Sequence, residues 1–211
     1  MIPAVILAAG ASTRMGRPKA LLPIGRDGET FVSRLLRTFS EAGVDDLVVV
    51  VGASATAVSE AIARMPVFAR VVENRGFERG QLSSLVAALD VVDRPGVQAV
   101  MAMPVDMPLV GAATVRAVAA AYRRHRPLVA RPVLGGRHGH PVIFDRALFV
   151  DLRGADFAVG ARAVIAAHLC DVLDVPVTDS GSLHDIDTPE EYERHTGLRL
   201  NGRNVEPGGD S

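Results

Sequence analysis

Short apolar runs alternate with amphipathic stretches along most of this chain. Residues 4–9 are continuously apolar and stop at Gly10, the pattern of a buried strand. Residues 47–51 repeat it with β-branched side chains on both faces, as an interior parallel strand requires. Between them, residues 29–42 carry Phe31, Leu35, Leu36 and Phe39 at helical spacing, and Gly43 follows as a C-cap. The alternation continues with a helix over 55–64, a strand over 68–72, a polar loop over 73–81 and a helix over 82–92. A strand over 98–103 and an alanine-rich helix over 112–125 follow. Such spacing predicts a three-layer α/β/α fold on a mainly parallel sheet.

Beyond residue 126 the pattern loosens. Strands over 128–131 and 140–144 flank a Gly135–Gly139 loop and suggest an antiparallel excursion. A helix over 161–169, an extended segment over 172–177 and a last helix starting near Glu190 complete the expected elements. Residues 1–200 are expected to form one domain, and the polar, turn-rich stretch 201–211 a flexible tail.

Composition narrows the function classes. The chain has 211 residues, 48% of them apolar, and a net charge of −1. That length suits a single buried core, and the balance of charge gives no footprint for nucleic acid. No apolar run reaches the roughly 18–20 residues of a membrane span. No basic segment precedes the first strand, and Cys170 stands alone, so a cytoplasmic protein without disulfides is expected.

Candidate chemistry concentrates in residues 7–19, Leu-Ala-Ala-Gly-Ala-Ser-Thr-Arg-Met-Gly-Arg-Pro-Lys. A glycine-rich loop after the first strand of an α/β fold commonly cradles phosphate on exposed backbone N–H groups. The dinucleotide fingerprint fails here: only Gly10 and Gly16 are present, and the second strand ends in Val50-Val51-Gly52-Ala53 without a carboxylate. The Walker spacing fails too, because five residues separate the glycines and Lys19-Ala20 comes late. Two separated cations, Arg14 and Lys19, remain, which suits a triphosphate. Lys19 is the only lysine among 23 basic residues. A compact ammonium kept on an arginine-rich chain points to a point charge beside phosphate, unless it is a chance survivor.

Asp106 is the best metal candidate among the carboxylates. It follows an apolar strand, is bracketed by Pro104 and Pro108, and would sit at the carboxyl end of the sheet where ligands gather. A turn-forming Asp beside proline is the plain alternative. In Asp185-Ile186-Asp187-Thr188-Pro189-Glu190-Glu191, a Thr188 N-cap, Pro189 at N1 and a capping box to Glu191 account for the glutamates, leaving Asp185 and Asp187 unexplained. Ser83 or Ser84 could be a helix N-cap.

Residues 7–19 resemble the signature loop of the MobA-like nucleotidyltransferases. The resemblance continues, in order, through Asn74, Gly80 with Ser83-Ser84-Leu85, Asp106 between its prolines, Gly139-His140-Pro141 and Asp185–Pro189. It implies a Rossmann-like sandwich of the nucleotide-diphospho-sugar transferase type. The implied activity moves an NMP from an NTP to a phosphorylated acceptor such as molybdopterin, releasing pyrophosphate. The implied catalytic residues are Lys19, Arg14 and Asp106, with Mg²⁺ held by Asp106 and Asp187. Leu7, Ala8, Ala9, Gly10, Gly16, Lys19, Asn74, Gly80, Ser83, Ser84 and His140 would line the nucleotide or acceptor pocket, and His138, Arg131 and Arg137 are further candidates for an anionic acceptor. Ala8-Ala9-Gly10 is closest to the molybdenum cofactor cytidylyltransferases, so CTP is the favoured nucleotide; the guanylyl branch more typically carries Gly at the Ala9 position. The resemblance also allows a molybdoenzyme or its chaperone as partner. Rival readings are an NAD(P)H-dependent oxidoreductase on the same fold, a sugar- or alcohol-phosphate nucleotidyltransferase, and a non-catalytic nucleotide-binding regulator.

Overall fold

The computed structural model describes residues 1–25, 27–201 and 204–207. The uncharged apolar runs become the centre of one eight-stranded sheet. β1 (Ala4–Ala8) pairs in parallel with β2 (Leu47–Val51) on one side and with β4 (Ala99–Pro104) on the other, and β2 pairs in parallel with β3 (Arg70–Glu73). Every residue of β1, β2 and β4 is buried, as strands covered on both faces require.

The remaining strands extend the sheet past β4. β5 (Val129–Leu134) turns through a short hairpin into β6 (Arg137–His138), and β7 (Val142–Asp145) then inserts between β4 and β5, antiparallel to both. β8 (Val172–Pro176) returns parallel to β5. The expected antiparallel excursion is therefore β6 and β7, and the rest of the sheet runs one way.

Alternation along the strands divides the core into two layers. Ala4, Ile6, Ala8, Val49 and Met101 face α1 (Phe31–Glu41), α2 (Ala55–Ala63), α4 (Ala112–His125) and α7 (Pro189–Thr196). Val5, Leu7, Ala9, Val48 and Val100 face α3 (Gln81–Val92), α5 (Phe149–Gly154) and α6 (Ala161–Ala167). The three-layer sandwich follows from this partition. No helix among the described residues is long and apolar enough to cross a membrane.

Several boundaries differ from the sequence reading. The third strand begins at Arg70, where its pairing with Val48 starts, and leaves Phe68 82% exposed outside it. The seventh begins at Val142, after a cis His140–Pro141 peptide, because proline has no N–H to give the ladder. α5 was not anticipated; its six residues are too few to show a period. Part of the expected tail, 202–203 and 208–211, falls outside the described residues; of the rest, β10 (Asn204–Pro207) pairs antiparallel with β9 (Leu198–Asn201), which ends where the tail was expected to begin.

A strap over 177–188 crosses the carboxyl end of the sheet and carries Asp187 to the site. Asp179 fixes its start: one carboxylate oxygen accepts from Gly111 N–H at 2.8 Å and Thr114 Oγ1 at 2.7 Å, the other from Gly181 N–H at 2.9 Å. The strap then runs in backbone contact with its neighbours. A Cβ at Gly181 would fall on the Leu109 carbonyl, and one at Gly139 on the Ser182 carbonyl. We expect Gly181→Ala to destabilise the fold by about 1–3 kcal/mol, the usual range for overpacking, with urea denaturation as the measurement. An unchanged midpoint would mean that the strap can move away without cost.

Candidate active site

The loop after β1 is shaped by two left-handed residues. Ser12 (φ 51°) and Gly16 (φ 63°) bracket a 3₁₀ turn over Thr13–Met15, and Met15 is buried beneath it. Ser12 Oγ accepts from Lys19 N–H at 3.0 Å, which closes the loop and turns the lysine inward. Among the described residues, Gly10, Ser12, Thr13 and Arg14 line a cleft of about 280 Å³ together with Leu7, Ala8 and Ala9. β4 supplies its floor through Pro104, Val105 and Asp106.

Three distant segments converge in that cleft. Lys19 Nζ donates to Asp187 Oδ1 and lies 3.4 Å from Asp106 Oδ2, while Arg14 approaches Asp187 Oδ2 at 3.5 Å. The lysine is the most enclosed of the group, its side chain 12% exposed against 27% for Asp106 and 32% for Asp187. Burial pushes the Asp106 carboxyl above the usual range, partly opposed by Lys19. Asp187 is held below it, chiefly by the hydrogen bond from Lys19. Burial thus works against ionisation of one carboxylate while Lys19 favours the ionised form of both, a division typical of sites where charge is handled.

The position of Asp187 has identifiable supports. Ile186 N–H donates to the Asp106 carbonyl at 2.8 Å, so the strap is stitched directly to the end of β4. The capping box of α7 is present: Thr188 Oγ1 accepts from Glu191 N–H at 3.2 Å, and Glu191 Oε2 accepts from Thr188 N–H at 3.0 Å. The same Glu191 oxygen also accepts from Asp187 N–H at 2.8 Å. The glutamate that caps the helix therefore orients the residue before it. Asp106 and Asp187 present oxygen donors to one point, a donor set that fits a hard divalent cation completed by phosphate oxygens.

The other nominated residues divide. Gly80 and Ser84 line the cleft, joined by Ser54, Phe77 and Gln81, which sequence reasoning had not singled out. Asn74, Ser83 and Gly16 do not line it. Asn74 Nδ2 donates to Ser83 Oγ at 2.9 Å and Ser84 Oγ at 3.0 Å, and its Oδ1 accepts from Gly76 N–H at 2.9 Å. Ser83 Oγ in turn donates to the Gly80 carbonyl at 2.7 Å. This buried network shapes the turn that borders the cleft. The N-cap of α3 is Gly80, and neither serine fills that role.

A second cavity of about 510 Å³ adjoins the first through Leu7, Gly80, Gln81 and Pro104. Leu82, Leu85, Val142, Phe144, Phe157 and Ile165 form its apolar walls, and Arg131, His138, His140 and Arg162 its polar ones. His140 lies here and not in the first cleft. Burial lowers its pKa to about 4, so the ring is neutral at pH 7. Arg131 and His138 are partnered by Asp174, at 2.7 Å and 3.2 Å. Arg137 does not line either cavity.

Comparison with known proteins supplies the family. Residues 4–172 match the MobA-like NTP transferase domain. Nicotine blue oxidoreductase of Paenarthrobacter nicotinovorans is 33% identical over 205 residues, covering 90% of this chain and 94% of its own length. A molybdenum cofactor guanylyltransferase of Rhizobium meliloti is 30% identical over 204 residues, covering 91% and 89%. Among solved structures, Rv0371c from Mycobacterium tuberculosis H37Rv superimposes with a TM-score of 0.78 at 31% identity, over 92% of this chain and 97% of that one. A structure of Rv0371c in complex with manganese gives 0.71 at 28% identity over the same shares. The resemblance carried by residues 7–19 and the later motifs is thus borne out along the fold, and the chain belongs to the MobA-like NTP transferase family.

Proposed function

We propose that this protein is a cytoplasmic nucleotidyltransferase that moves CMP from CTP to the terminal phosphate of a molybdopterin-type acceptor. The observation that carries the reading is the convergence of Lys19, Asp106 and Asp187 in a cleft that shares lining residues with a second, larger cavity. A triphosphate in the first and an acceptor in the second would meet near Leu7, Gly80 and Pro104, which border both. Favouring CTP rests on the Ala9 methyl. Ala9 lines the cleft, and its methyl would narrow the base or ribose site relative to a glycine there.

In the reaction, an acceptor phosphate oxygen attacks the α-phosphorus. The bond from that phosphorus to the α,β-bridging oxygen breaks, its electron pair leaves with pyrophosphate, and a new phosphoanhydride links acceptor and CMP. Backbone N–H groups of the 10–16 loop and Arg14 would hold the β and γ phosphates, and Lys19 would stabilise charge at the α-phosphate. Asp106 and Asp187 would hold Mg²⁺, which when bound neutralises phosphate charge and orients the α-phosphate. Neutral His140 and Arg162 would face the acceptor. A molybdoenzyme or its chaperone is the natural recipient of such a product.

A specific observation favours one second reading. A relative at 33% identity is named as an oxidoreductase, and the second cavity has the apolar, Phe-lined walls that suit an aromatic heterocycle. Micromolar NADPH binding without added metal, followed by fluorescence, would favour that chemistry over nucleotidyl transfer.

The direct test incubates the protein and Mg²⁺ with molybdopterin and each of CTP, GTP, ATP and UTP, and measures pyrophosphate. CTP is expected to give the fastest release; no release with any nucleotide would overturn the transferase reading for this acceptor. Lys19→Arg should lose about as much turnover as Lys19→Ala, on the order of 10²–10³-fold, because a planar fork does not replace a point charge. Wild-type release from Lys19→Arg would refute the role given to the ammonium.

His140 gives a pH prediction. Its folded pKa of about 4 lies below the ordinary 6.5, so the unfolded chain takes up the proton more readily. The stability tied to the neutral ring is complete above about pH 6.5 and is lost as pH falls toward 4. Urea denaturation of the wild type should show this loss, and His140→Gln should flatten it. Equal slopes in both proteins would count against a ring held neutral by the fold.

A further inference from the structure

We propose that Lys19 is an internal counter-cation that competes with the divalent metal for Asp106 and Asp187, so that metal alone binds this site weakly. The inference rests on the nucleotidyltransferase reading for the identity of the metal site, but its geometry stands apart from it. Lys19 Nζ donates to Asp187 Oδ1 and lies 3.4 Å from Asp106 Oδ2. A cation bridging both carboxylates where they converge would stand where the ammonium stands. Two carboxylates this close are stabilised by one positive charge between them, and two cations at one point repel.

The lysine is built to stay there. It is the least exposed of the three side chains, and the Ser12 Oγ bond to its own backbone N–H fixes the direction in which it leaves the loop. Glu191 accepts from the Asp187 backbone N–H, and the Asp106 carbonyl accepts from Ile186 N–H, so the backbone that carries each carboxylate is fixed beside the ammonium. Arg14 reaches only Asp187, at 3.5 Å and with a side chain 69% exposed, and is a poor substitute. Phosphate oxygens are an alternative partner for an ammonium on a flexible four-carbon stem. Arrival of the nucleotide would therefore draw Lys19 off the carboxylates and open them to the cation.

Manganese is the probe, because its paramagnetism lets free and bound ion be counted by EPR without turnover. Full-length wild type, Lys19→Met, Lys19→Gln and Arg14→Ala are titrated with Mn²⁺ in the absence of nucleotide. Lys19→Met and Lys19→Gln should bind on the order of 10–100-fold more tightly than wild type, the span over which groups touching metal ligands tune affinity. Arg14→Ala should stay within about threefold, as expected of an exposed charge.

Thermal unfolding guards against a variant that is merely damaged. Both lysine variants should melt below wild type in EDTA and gain more from Mn²⁺ than wild type does, since metal would replace the missing charge. Equal or weaker Mn²⁺ binding by both lysine variants would overturn the proposal, as would a gain in Arg14→Ala matching theirs. Tighter Mn²⁺ binding in the lysine variants together with no pyrophosphate from wild type, molybdopterin and any NTP would leave Lys19 as counter-cation and remove the transferase reading for that acceptor instead.

Discussion

The structure depends on one charge placed between two others of opposite sign. Asp106 and Asp187 come from segments more than eighty residues apart, and their carboxylates meet around the Lys19 ammonium. Much local geometry follows from bringing those groups together. The β1 loop spends a left-handed serine, Ser12, to turn back on itself and hand Lys19 inward. The strap surrenders any side chain at Gly181 to pass against Leu109, and then bonds to the Asp106 carbonyl through Ile186. The capping glutamate of α7 accepts from both Thr188 and Asp187 and completes the arrangement.

Around that charge, polar side chains do two kinds of work. Some face the cleft with capacity to spare, as Arg14 and Lys19 do. Others satisfy each other and leave a shaped wall. Asn74, Ser83 and Ser84 belong to the second kind, and their mutual bonds define the turn at Gly80 and Gln81 that both cavities share. A transfer between two substrates needs such a border: firm enough to hold each reactant's register, and narrow enough for them to meet.

The sheet centre was legible because continuous apolar runs admit little else. β1, β2 and β4 came out within a residue of expectation, and the loop of residues 7–19 carried its own signal in glycines and cations. What stayed hidden depends on pairing between distant segments. Nothing local in residues 142–145 says that they will insert between β4 and β5 in the reverse direction. The resemblance likewise marked Asn74 and Ser83 as candidates for ligand contact, but not that they would hydrogen-bond each other. His138 and Arg131 read as free basic groups until Asp174, from β8, was brought beside them. Ser54, Phe77 and Gln81 were not singled out; they lie at the N-cap of α2, in a 3₁₀ turn and at the first residue of α3, where the fold turns them toward the cleft.

The solitary lysine can now be argued from geometry as well as from composition. An arginine at position 19 would present a wide planar fork, which matches one carboxylate face-on but cannot point a single compact charge at two carboxylates from different elements. It would also resist leaving, because a bidentate pair on Asp187 is harder to exchange for phosphate than a set of rotatable ammonium donors. Elsewhere on this chain, as at Arg37 with Glu29 and Glu41 or Arg70 with Asp46, the fork serves well, since those pairs hold surface elements together and need not change partners. Position 19 asks for a cation that is enclosed, shared and able to move, and lysine is the side chain that combines the three.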